Sequence, residues 1–212
     1  MNQKLLIMKL TIKRAVISIS LLLGAAAPMA AESFDCSVQW KAVENKALFA
    51  MISGDYATAL QLIRPLADCG VAEAQVNVGL MYSAGWGVPE NHAEAVKWFQ
   101  LAADQGHAEG QRWLGEMYYV SQNYADALIW FQRAADQENE YAQAMLGDMY
   151  SKGEGVPQDY VRAYMWYVLA LASNQVLVVK RIVALEPHMT HVQMAEASKL
   201  AREWKRTKQQ AR

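Results

Sequence analysis

The sequence predicts an all-α fold built from stacked antiparallel helix hairpins. A motif of Ala-Gln or Gly-Gln, then Gly, Met and Tyr, occurs three times between residues 72 and 175, and a second motif with Ala, Trp and a further aromatic residue follows each copy. The glycines of the first motif are Gly79, Gly115 and Gly147, which repeat at intervals of 36 and 32 residues. Self-similarity at this period is typical of stacked supersecondary units and not of a single globular core.

Each repeat is predicted to contain two amphipathic helices. In the first repeat, apolar residues lie at helical spacing in both motifs. They are Ala74, Val78, Met81 and Tyr82, then Ala95, Trp98, Phe99 and Ala102. The recurrent glycine falls inside the first helix, where it costs roughly 0.5–1 kcal/mol relative to alanine. Its recurrence indicates that a neighbouring helix approaches the backbone closely at that position.

The connection between the two helices differs among the repeats. The outer two repeats carry Gly-x-Gly-Val-Pro, at residues 85–89 and 153–157, whereas the middle repeat turns through the shorter segment 121–124. The proline fixes φ just ahead of the next helix. No strand precedes either Gly-x-Gly, so this is not the pattern of a dinucleotide-binding loop.

These motifs resemble the Sel1-like repeat, a relative of the tetratricopeptide repeat with a longer connection between its helices. Gly-x-Gly-Val-Pro is followed by Asn91-His92 or Asp159-Tyr160 and then by the aromatic motif. The segments 54–60 and 123–128 look more like the shorter tetratricopeptide form. The resemblance, which covers about residues 45–175, implies a right-handed solenoid with about four repeats over residues 32–175. The leading helix of the first repeat, predicted over Val43–Ile52, lacks the glycine and tyrosine.

Residues 1–31 have the layout of a secretory signal peptide. Four basic residues between Lys4 and Arg14 precede an apolar run over residues 15–27, and small residues follow up to Ala31. The run is shorter than the roughly 20 residues of a membrane-spanning helix. We therefore predict a periplasmic or secreted protein without stable membrane insertion after cleavage. The alternative is an uncleaved N-terminal anchor that includes Leu5–Met8.

The remainder of the chain is mildly acidic. Removing the four basic residues of the N-terminal segment from the total of 20 leaves 16 basic residues against 21 acidic ones, a net charge of −5. Nucleic acid is therefore not the expected ligand, because phosphate binding needs a basic face.

The two cysteines, Cys36 and Cys69, are predicted to form a disulfide. Export would place them in a compartment where disulfides persist, and an antiparallel hairpin would bring them side by side. A bridge across 33 residues contributes on the order of 3–4 kcal/mol by loop-closure reasoning. Two unpaired thiols remain the alternative, and a redox role is disfavoured because Cys-x-x-Cys is absent from the sequence.

Residues 176–212 are predicted to be capping helices with a basic tail. The segment Val176–Leu185 is interpreted as helix, and Thr190 with Gln193 forms a capping box for a helix through Trp204. Such a cap would cover the last apolar face of a solenoid. The basic residues of the tail are interpreted as a solvated end, with contact to an anionic lipid or glycan as the alternative.

The sequence offers no catalytic constellation, and we predict neither catalytic residues nor a cofactor. His188 and His191 could supply two ligands to a metal, but no third ligand is evident, so no metal site is predicted. The aromatic residues fall mostly at predicted core positions of the repeats.

The resemblance implies that the first helix of each hairpin lines a concave groove that binds a partner peptide. Mapping this onto the sequence gives a set of candidate partner-binding residues. They are Glu73, Val76, Leu80, Glu109, Arg112, Glu116, Tyr119, Tyr141, Asp148 and Lys152, with Ala144 beside them. Carboxylates and aromatic rings suit a peptide of basic character. Charge reversal at Glu116 and Asp148 is expected to weaken binding while leaving thermal stability nearly unchanged.

The sequence as a whole favours an exported, non-catalytic adaptor or scaffold that binds another protein in the bacterial cell envelope. The alternative is a protein that binds or hydrolyses peptidoglycan or a β-lactam, since some Sel1-like proteins with a cysteine pair in each repeat have that association. This chain has a single cysteine pair. A third interpretation is a structural subunit of a larger ring.

Overall fold

The computed structural model of the protein describes residues 36–171 and 176–210. The predicted signal peptide, residues 1–31, lies outside this part of the chain. Within it, the chain forms ten α-helices and one 3-10 turn, and it contains no strand. The helices are α1 (Cys36–Ile52), α2 (Tyr56–Asp68), α3 (Ala72–Ala84), α4 (His92–Asp104), α5 (Ala108–Val120), α6 (Tyr124–Asp136), α7 (Glu140–Lys152), α8 (Tyr160–Ala170), α9 (Val176–Leu185) and α10 (His191–Gln210), with the 3-10 turn at Glu186–His188.

The first eight helices form four successive hairpins, α1–α2, α3–α4, α5–α6 and α7–α8, and each hairpin packs against the next. Helices α9 and α10 both pack on α8. The predicted all-α solenoid of antiparallel hairpins is therefore confirmed. Among the described residues, no helix combines the length and the apolar character needed to cross a membrane.

The recurrent glycine of the first helices makes room for an aromatic ring of its own hairpin. A Cβ placed on Gly79 would lie 2.5 Å from the ring of Phe99, and one on Gly115 would lie 2.8 Å from the ring of Phe131. The ring of Tyr167 occupies the same place against Gly147. Because Phe99 and Phe131 are fully buried, the close approach predicted from the sequence is confirmed as the centre of each hairpin core.

The longer connections of the outer repeats pack on the preceding hairpin. Gly87 and Gly155 both have φ of +72°, and a Cβ on either would lie 2.8 Å from a tyrosine carbonyl oxygen, that of Tyr56 or Tyr124. The ring of Trp86 also stacks on Tyr56, with centroids 5.2 Å apart. Glycine is therefore required at both positions, because φ is positive and because a side chain would block the contact between neighbouring repeats.

A disulfide joins the two ends of the first hairpin. Cys36 is the first residue of α1 and Cys69 directly follows α2, with the two Cα atoms 6.4 Å apart. The predicted pairing is confirmed. Helix α1 begins seven residues before the predicted start at Val43, so Cys36 lies within the helix and not ahead of it.

The C-terminal helices agree with their sequence signals. Residues 176–185 are helical, and the capping box is present: Gln193 N–H donates to Thr190 Oγ1 at 3.2 Å, while Thr190 N–H donates to Gln193 Oε1 at 2.8 Å. Helix α10 buries Ala197 and Ala201 and continues beyond Trp204 to Gln210. The ring of Trp204 meets that of Trp166 edge-on at 5.9 Å.

Candidate partner-binding surface

The predicted partner-binding residues recur at three equivalent positions of α3, α5 and α7. These positions hold Glu73, Glu109 and Tyr141, then Val76, Arg112 and Ala144, then Leu80, Glu116 and Asp148. Tyr119 and Lys152 lie near the C-terminal ends of α5 and α7.

The middle position is buried in two of the three repeats. Val76 is 7% exposed and packs in a cluster with Phe99 and Leu114, and Ala144 is 2% exposed. Leu80 is only partly buried and packs against the same cluster. This corrects the placement of Val76 and Ala144 on a partner-contacting face, because their side chains are used by the core and are inaccessible to a partner.

Arg112 occupies the same middle position in α5. Its side chain is 12% exposed and forms an ion pair with Glu109 at 2.9 Å. The guanidinium lies over the ring of Trp113, 3.7 Å from its centroid, and 4.7 Å from that of Tyr141 on the next first helix. Cation–π contacts with two rings hold this cation in a defined position between two repeats.

Tyr141 links α7 back to α5. Its hydroxyl donates a hydrogen bond to Glu116 Oε2 at 2.6 Å, and the residue remains 38% exposed. Partial burial and the neighbouring Glu116 carboxylate raise the pKa of Tyr141 well above its usual range, against the opposing charges of Arg112 and Arg181. The phenol therefore stays a neutral donor at physiological pH.

Asp148 is not a free carboxylate. It accepts a hydrogen bond from the Tyr167 hydroxyl at 2.6 Å and forms an ion pair with Arg181 of α9 at 2.8 Å, with 13% of its side chain exposed. Burial raises the pKa of Asp148, while Tyr167 and Arg181 oppose the shift. Charge reversal at Asp148 would leave Arg181 without its partner in a nearly buried ion pair, which lowers the stability of the fold. This corrects the expectation that the substitution leaves thermal stability nearly unchanged.

Sequence reasoning did not include Arg181 among the candidate residues. The signal was present, since Lys180-Arg181 interrupts the otherwise apolar sequence of α9. We name the exposed and partly buried polar side chains of this region the first-helix surface. It consists of Glu73, Glu109, Arg112, Glu116, Tyr141, Asp148 and Arg181.

Tyr119 and Lys152 belong to a different cluster. Lys152 Nζ donates to the Tyr119 hydroxyl at 3.0 Å, and this hydroxyl donates to Glu154 Oε2 at 2.8 Å. Burial raises the pKa of Tyr119, and the hydrogen bond to Tyr119 raises that of Lys152. Glu154 lies in the long connection after α7, so these two predicted residues fasten that connection to α5.

The remaining carboxylates of the first-helix surface extend it toward the first repeat. Glu109 accepts a hydrogen bond from Asn139 Nδ2 at 2.6 Å, and His107 lies 4.0 Å from Glu73. The side chains of Glu73 and Glu109 are 54% and 47% exposed. Within residues 36–171 and 176–210, no three His, Cys, Asp or Glu side chains are grouped so that they could hold a metal ion.

A stack of helix hairpins in which each hairpin packs against the next is the architecture of helical-repeat proteins. The family model of the Sel1 repeat matches residues 72–107, 108–139 and 140–174, which are the hairpins α3–α4, α5–α6 and α7–α8 with their connections. Residues 72–174 of this chain are therefore three Sel1 repeats. The disulfide-linked hairpin α1–α2 precedes the matched residues.

Three relatives illustrate the similarity. The first is HRD3A of Arabidopsis thaliana, an ERAD-associated E3 ubiquitin-protein ligase component. The two proteins are 33% identical over 76 residues, and this match covers 35% of this chain and 11% of HRD3A. This chain is 29% identical to a Sel1 repeat protein from Oxalobacter formigenes, with a TM-score of 0.58 over 68% of this chain and 64% of that one. It is 27% identical to a protective antigen of uropathogenic Escherichia coli with the SLR fold, with a TM-score of 0.64 over 84% of this chain and 41% of that one.

This chain therefore spans less than two thirds of the length of each of these relatives. Sel1 repeat proteins act as scaffolds for protein–protein interaction, and the family is generally non-catalytic. The repeats thus indicate protein partners as the class of ligand.

Proposed function

We propose that this protein is an exported, non-catalytic adaptor of the bacterial cell envelope that binds a segment of a partner protein on its first-helix surface. The disulfide between Cys36 and Cys69 supports an oxidising compartment, and the signal-like residues 1–31 support export. The mature chain would then comprise about four repeats over residues 32–175 and a cap over residues 176–212.

The observation that carries the proposal is the ordered contact of Arg112, Tyr141 and Glu116 across two repeats. Arginine and aromatic side chains dominate the binding energy of many protein interfaces. Here the arginine is already stacked on the tyrosine, and the tyrosine is already hydrogen-bonded to the carboxylate. A partner would therefore immobilise few further side chains, which lowers the entropic cost of association.

The charge of this surface favours a basic segment in the partner. Glu73 and Glu109 keep about half of their side chains exposed, whereas the cations Arg112 and Arg181 are only 12% and 27% exposed. The accessible charge is thus mainly negative. A partner with lysine or arginine next to an apolar residue would meet both the carboxylates and the Tyr141 ring.

Crosslinking of the tagged protein in intact cells, followed by affinity capture and mass spectrometry, identifies the partner. Its affinity is then measured for the wild type and for Glu116→Gln and Tyr141→Phe. Each variant is expected to weaken binding about tenfold, which corresponds to about 1.4 kcal/mol. Glu116→Gln keeps an oxygen acceptor for the Tyr141 hydroxyl, so the melting temperature should hardly change.

The matched control is Glu196→Gln, which removes the same charge from an exposed position on α10. It should bind the partner like the wild type. Equal affinity of all three variants would exclude the first-helix surface as the binding site. Recovery of wall fragments without any protein partner would instead support the peptidoglycan-binding alternative.

A further inference from the structure

Two equivalent positions recur where one hairpin packs against the next. The first is the sixth residue of the first helix, and it is held in chain order by Asn77 of α3, Trp113 of α5 and Met145 of α7. The second is the eighth residue of the preceding second helix, and it is held in the same order by Ile63 of α2, Phe99 of α4 and Phe131 of α6. These three pairs allow the successive hairpin contacts to be compared position by position.

Two of the three contacts are filled by a large side chain of the first helix. The ring of Trp113 stacks on that of Phe99, with centroids 5.8 Å apart and planes inclined by 13°. Met145 is 6% exposed and lies in one buried cluster with Phe131. At both contacts the chain itself therefore supplies the group that covers the preceding second helix, as close packing of a core requires.

The contact between the first two hairpins is different, because Asn77 is short and polar. Its Nδ2 donates to the backbone carbonyl oxygen of Glu73 at 2.9 Å, so its amide is bonded to its own helix. A groove of about 170 Å³ is open here between α1, α2 and α3. We name it the first-junction groove, and its lining consists of Trp40, Glu44, Ala47, Leu48, Met51, Ile63 and Asn77.

The size of the first-junction groove fits one side chain. Sites for small molecules have volumes of roughly 300–1,000 Å³, well above the 170 Å³ found here. The groove also opens beside exposed apolar groups of α1. Leu48 of the lining is 52% exposed, and Ile52, one turn further along the helix, is 77% exposed. Apolar groups exposed together in this way are typical of protein–protein contact sites.

The lining selects a ring that also carries a hydrogen-bond donor. Ile63 and Trp40 are 1% and 8% exposed and supply apolar contact. Glu44 and Asn77 are the two lining residues whose side chains contain oxygen acceptors. Tryptophan combines a large apolar ring with one N–H group, which usually finds an acceptor when the ring is buried.

We propose that the first-junction groove binds a tryptophan side chain of a partner protein, in the place that Trp113 occupies at the next hairpin contact. The ring packs on Ile63 and Trp40, and the indole N–H donates to a side-chain oxygen of Glu44 or Asn77. Residues 1–35 of this chain contain no tryptophan. The lining shares no residue with the first-helix surface, so the site does not depend on the function proposed for that surface.

The test is titration of the disulfide-bonded full chain with N-acetyl-tryptophanamide, beside N-acetyl-phenylalaninamide and N-acetyl-alaninamide. The readout is the NMR shift of the Asn77 side-chain amide and of the Trp40 indole N–H. The tryptophan probe is expected to shift both signals with a dissociation constant on the order of 1 mM. The phenylalanine probe should bind about threefold to tenfold more weakly, because it lacks the N–H donor. The alanine probe should leave both signals in place, and equal binding of all three would overturn the proposal.

Two variants locate the interaction. Asn77→Trp should fill the groove from α3, so that binding of N-acetyl-tryptophanamide is lost while the melting temperature stays at or above that of the wild type. Leu48→Gln removes an exposed part of the apolar lining and should weaken binding about threefold. The matched control is Leu101→Gln, which changes a leucine of similar exposure, 48%, on α4 outside the groove. Undiminished binding to a folded Asn77→Trp variant, or equal loss in both leucine variants, would overturn the site.

Crosslinking in cells identifies the source of the tryptophan. A photoreactive benzophenone side chain is introduced at Ile52, and the crosslinked peptide is identified by mass spectrometry. A segment of another protein that contains tryptophan, captured by this chain and lost when Asn77→Trp is added, would support the proposal. A crosslink to a second copy of this chain, or to its own residues 1–35, would overturn a partner protein as the occupant.

The result can be separated from that for the first-helix surface. Glu116→Gln should leave the affinity for N-acetyl-tryptophanamide unchanged, since Glu116 does not line the first-junction groove. A loss of the probe in this variant equal to that in Asn77→Trp would place the probe elsewhere and overturn the groove as its site.

Discussion

The two ends of the described solenoid are secured by different interactions. At the N-terminal end, the disulfide between Cys36 and Cys69 ties α1 to α2, while Phe49 and Ile52 of α1 remain 74% and 77% exposed. At the C-terminal end, α10 packs on α8, where Ala201 is buried. A terminal hairpin of a solenoid has a neighbour on one side only, so each end needs stabilisation that the inner repeats receive from both sides.

Because of this difference, we expect the stability of the two ends to depend on different solution conditions. A covalent link restricts the unfolded chain, and its contribution depends on the redox state of the compartment. Packing of α10 depends on apolar burial and is insensitive to reductant. The following substitutions act on one end at a time, which makes the contrast measurable.

The largest effect is expected from removing the disulfide. The double variant Cys36→Ser, Cys69→Ser should lower the free energy of unfolding by about 3–4 kcal/mol, since the link closes a segment with a sequence separation of 33. Urea denaturation followed by circular dichroism measures the loss. Wild-type protein in reductant should reproduce it, and an unchanged urea midpoint would contradict the role of the bridge.

Shortening a packed side chain at the C-terminal end should lower the free energy of unfolding somewhat less. Trp204→Ala removes the edge-on contact with Trp166 and is expected to lower the free energy of unfolding by about 2–3 kcal/mol, because Trp204 is only partly buried. Its cost should be the same with and without reductant. Additivity with the disulfide variant in a double-mutant cycle would confirm that the ends are independent, and a coupling above about 0.5 kcal/mol would refute it.

Features that depend on residues within one hairpin could be predicted from the sequence. The hairpins, the role of Gly79 and the cysteine pairing all follow from local spacing, because each depends on residues within one hairpin. Val76 was misplaced because its burial depends on Leu114 of the next repeat, which the periodicity of a single helix does not show. The pairing of Asp148 with Arg181 was missed for the same reason, since α9 lies outside the repeats.

The helix caps at the two ends should differ in their dependence on pH. Asp55 caps α2 by accepting from Thr58 N–H at 3.1 Å. Hydrogen bonds from the Thr58 side chain and from this N–H lower the pKa of Asp55 from its usual value of 3.8. Its contribution to stability is present above pH 3.8 and is lost as the pH falls through the lowered value. Thr190 caps α10 through a hydroxyl that does not titrate.

Thr190→Ala is therefore expected to cost about 1 kcal/mol at every pH. Asp55→Ala should be destabilising at neutral pH, and its effect should diminish as the pH falls through the lowered pKa of Asp55. Thermal melts of both variants and the wild type between pH 2 and 7 measure these dependences. A cost of Asp55→Ala that is the same at both limits would contradict an ionised cap.

The smallest effect is expected at the ion pair between α10 and α6. Lys208 Nζ lies 2.9 Å from Asp136 Oδ1, but 29% and 41% of the two side chains are exposed. Exposed pairs of this kind contribute about 0.2–1 kcal/mol, so Lys208→Met should lower the stability by less than Trp204→Ala does. The loss should disappear in about 1 M salt, where the Debye length is about 3 Å. Arg202→Met, an exposed position on the same helix, is the control. A salt-resistant loss at Lys208 alone would assign its effect to the cation–π contact with the Trp204 ring, whose centroid is 5.4 Å from Nζ, and not to the ion pair with Asp136.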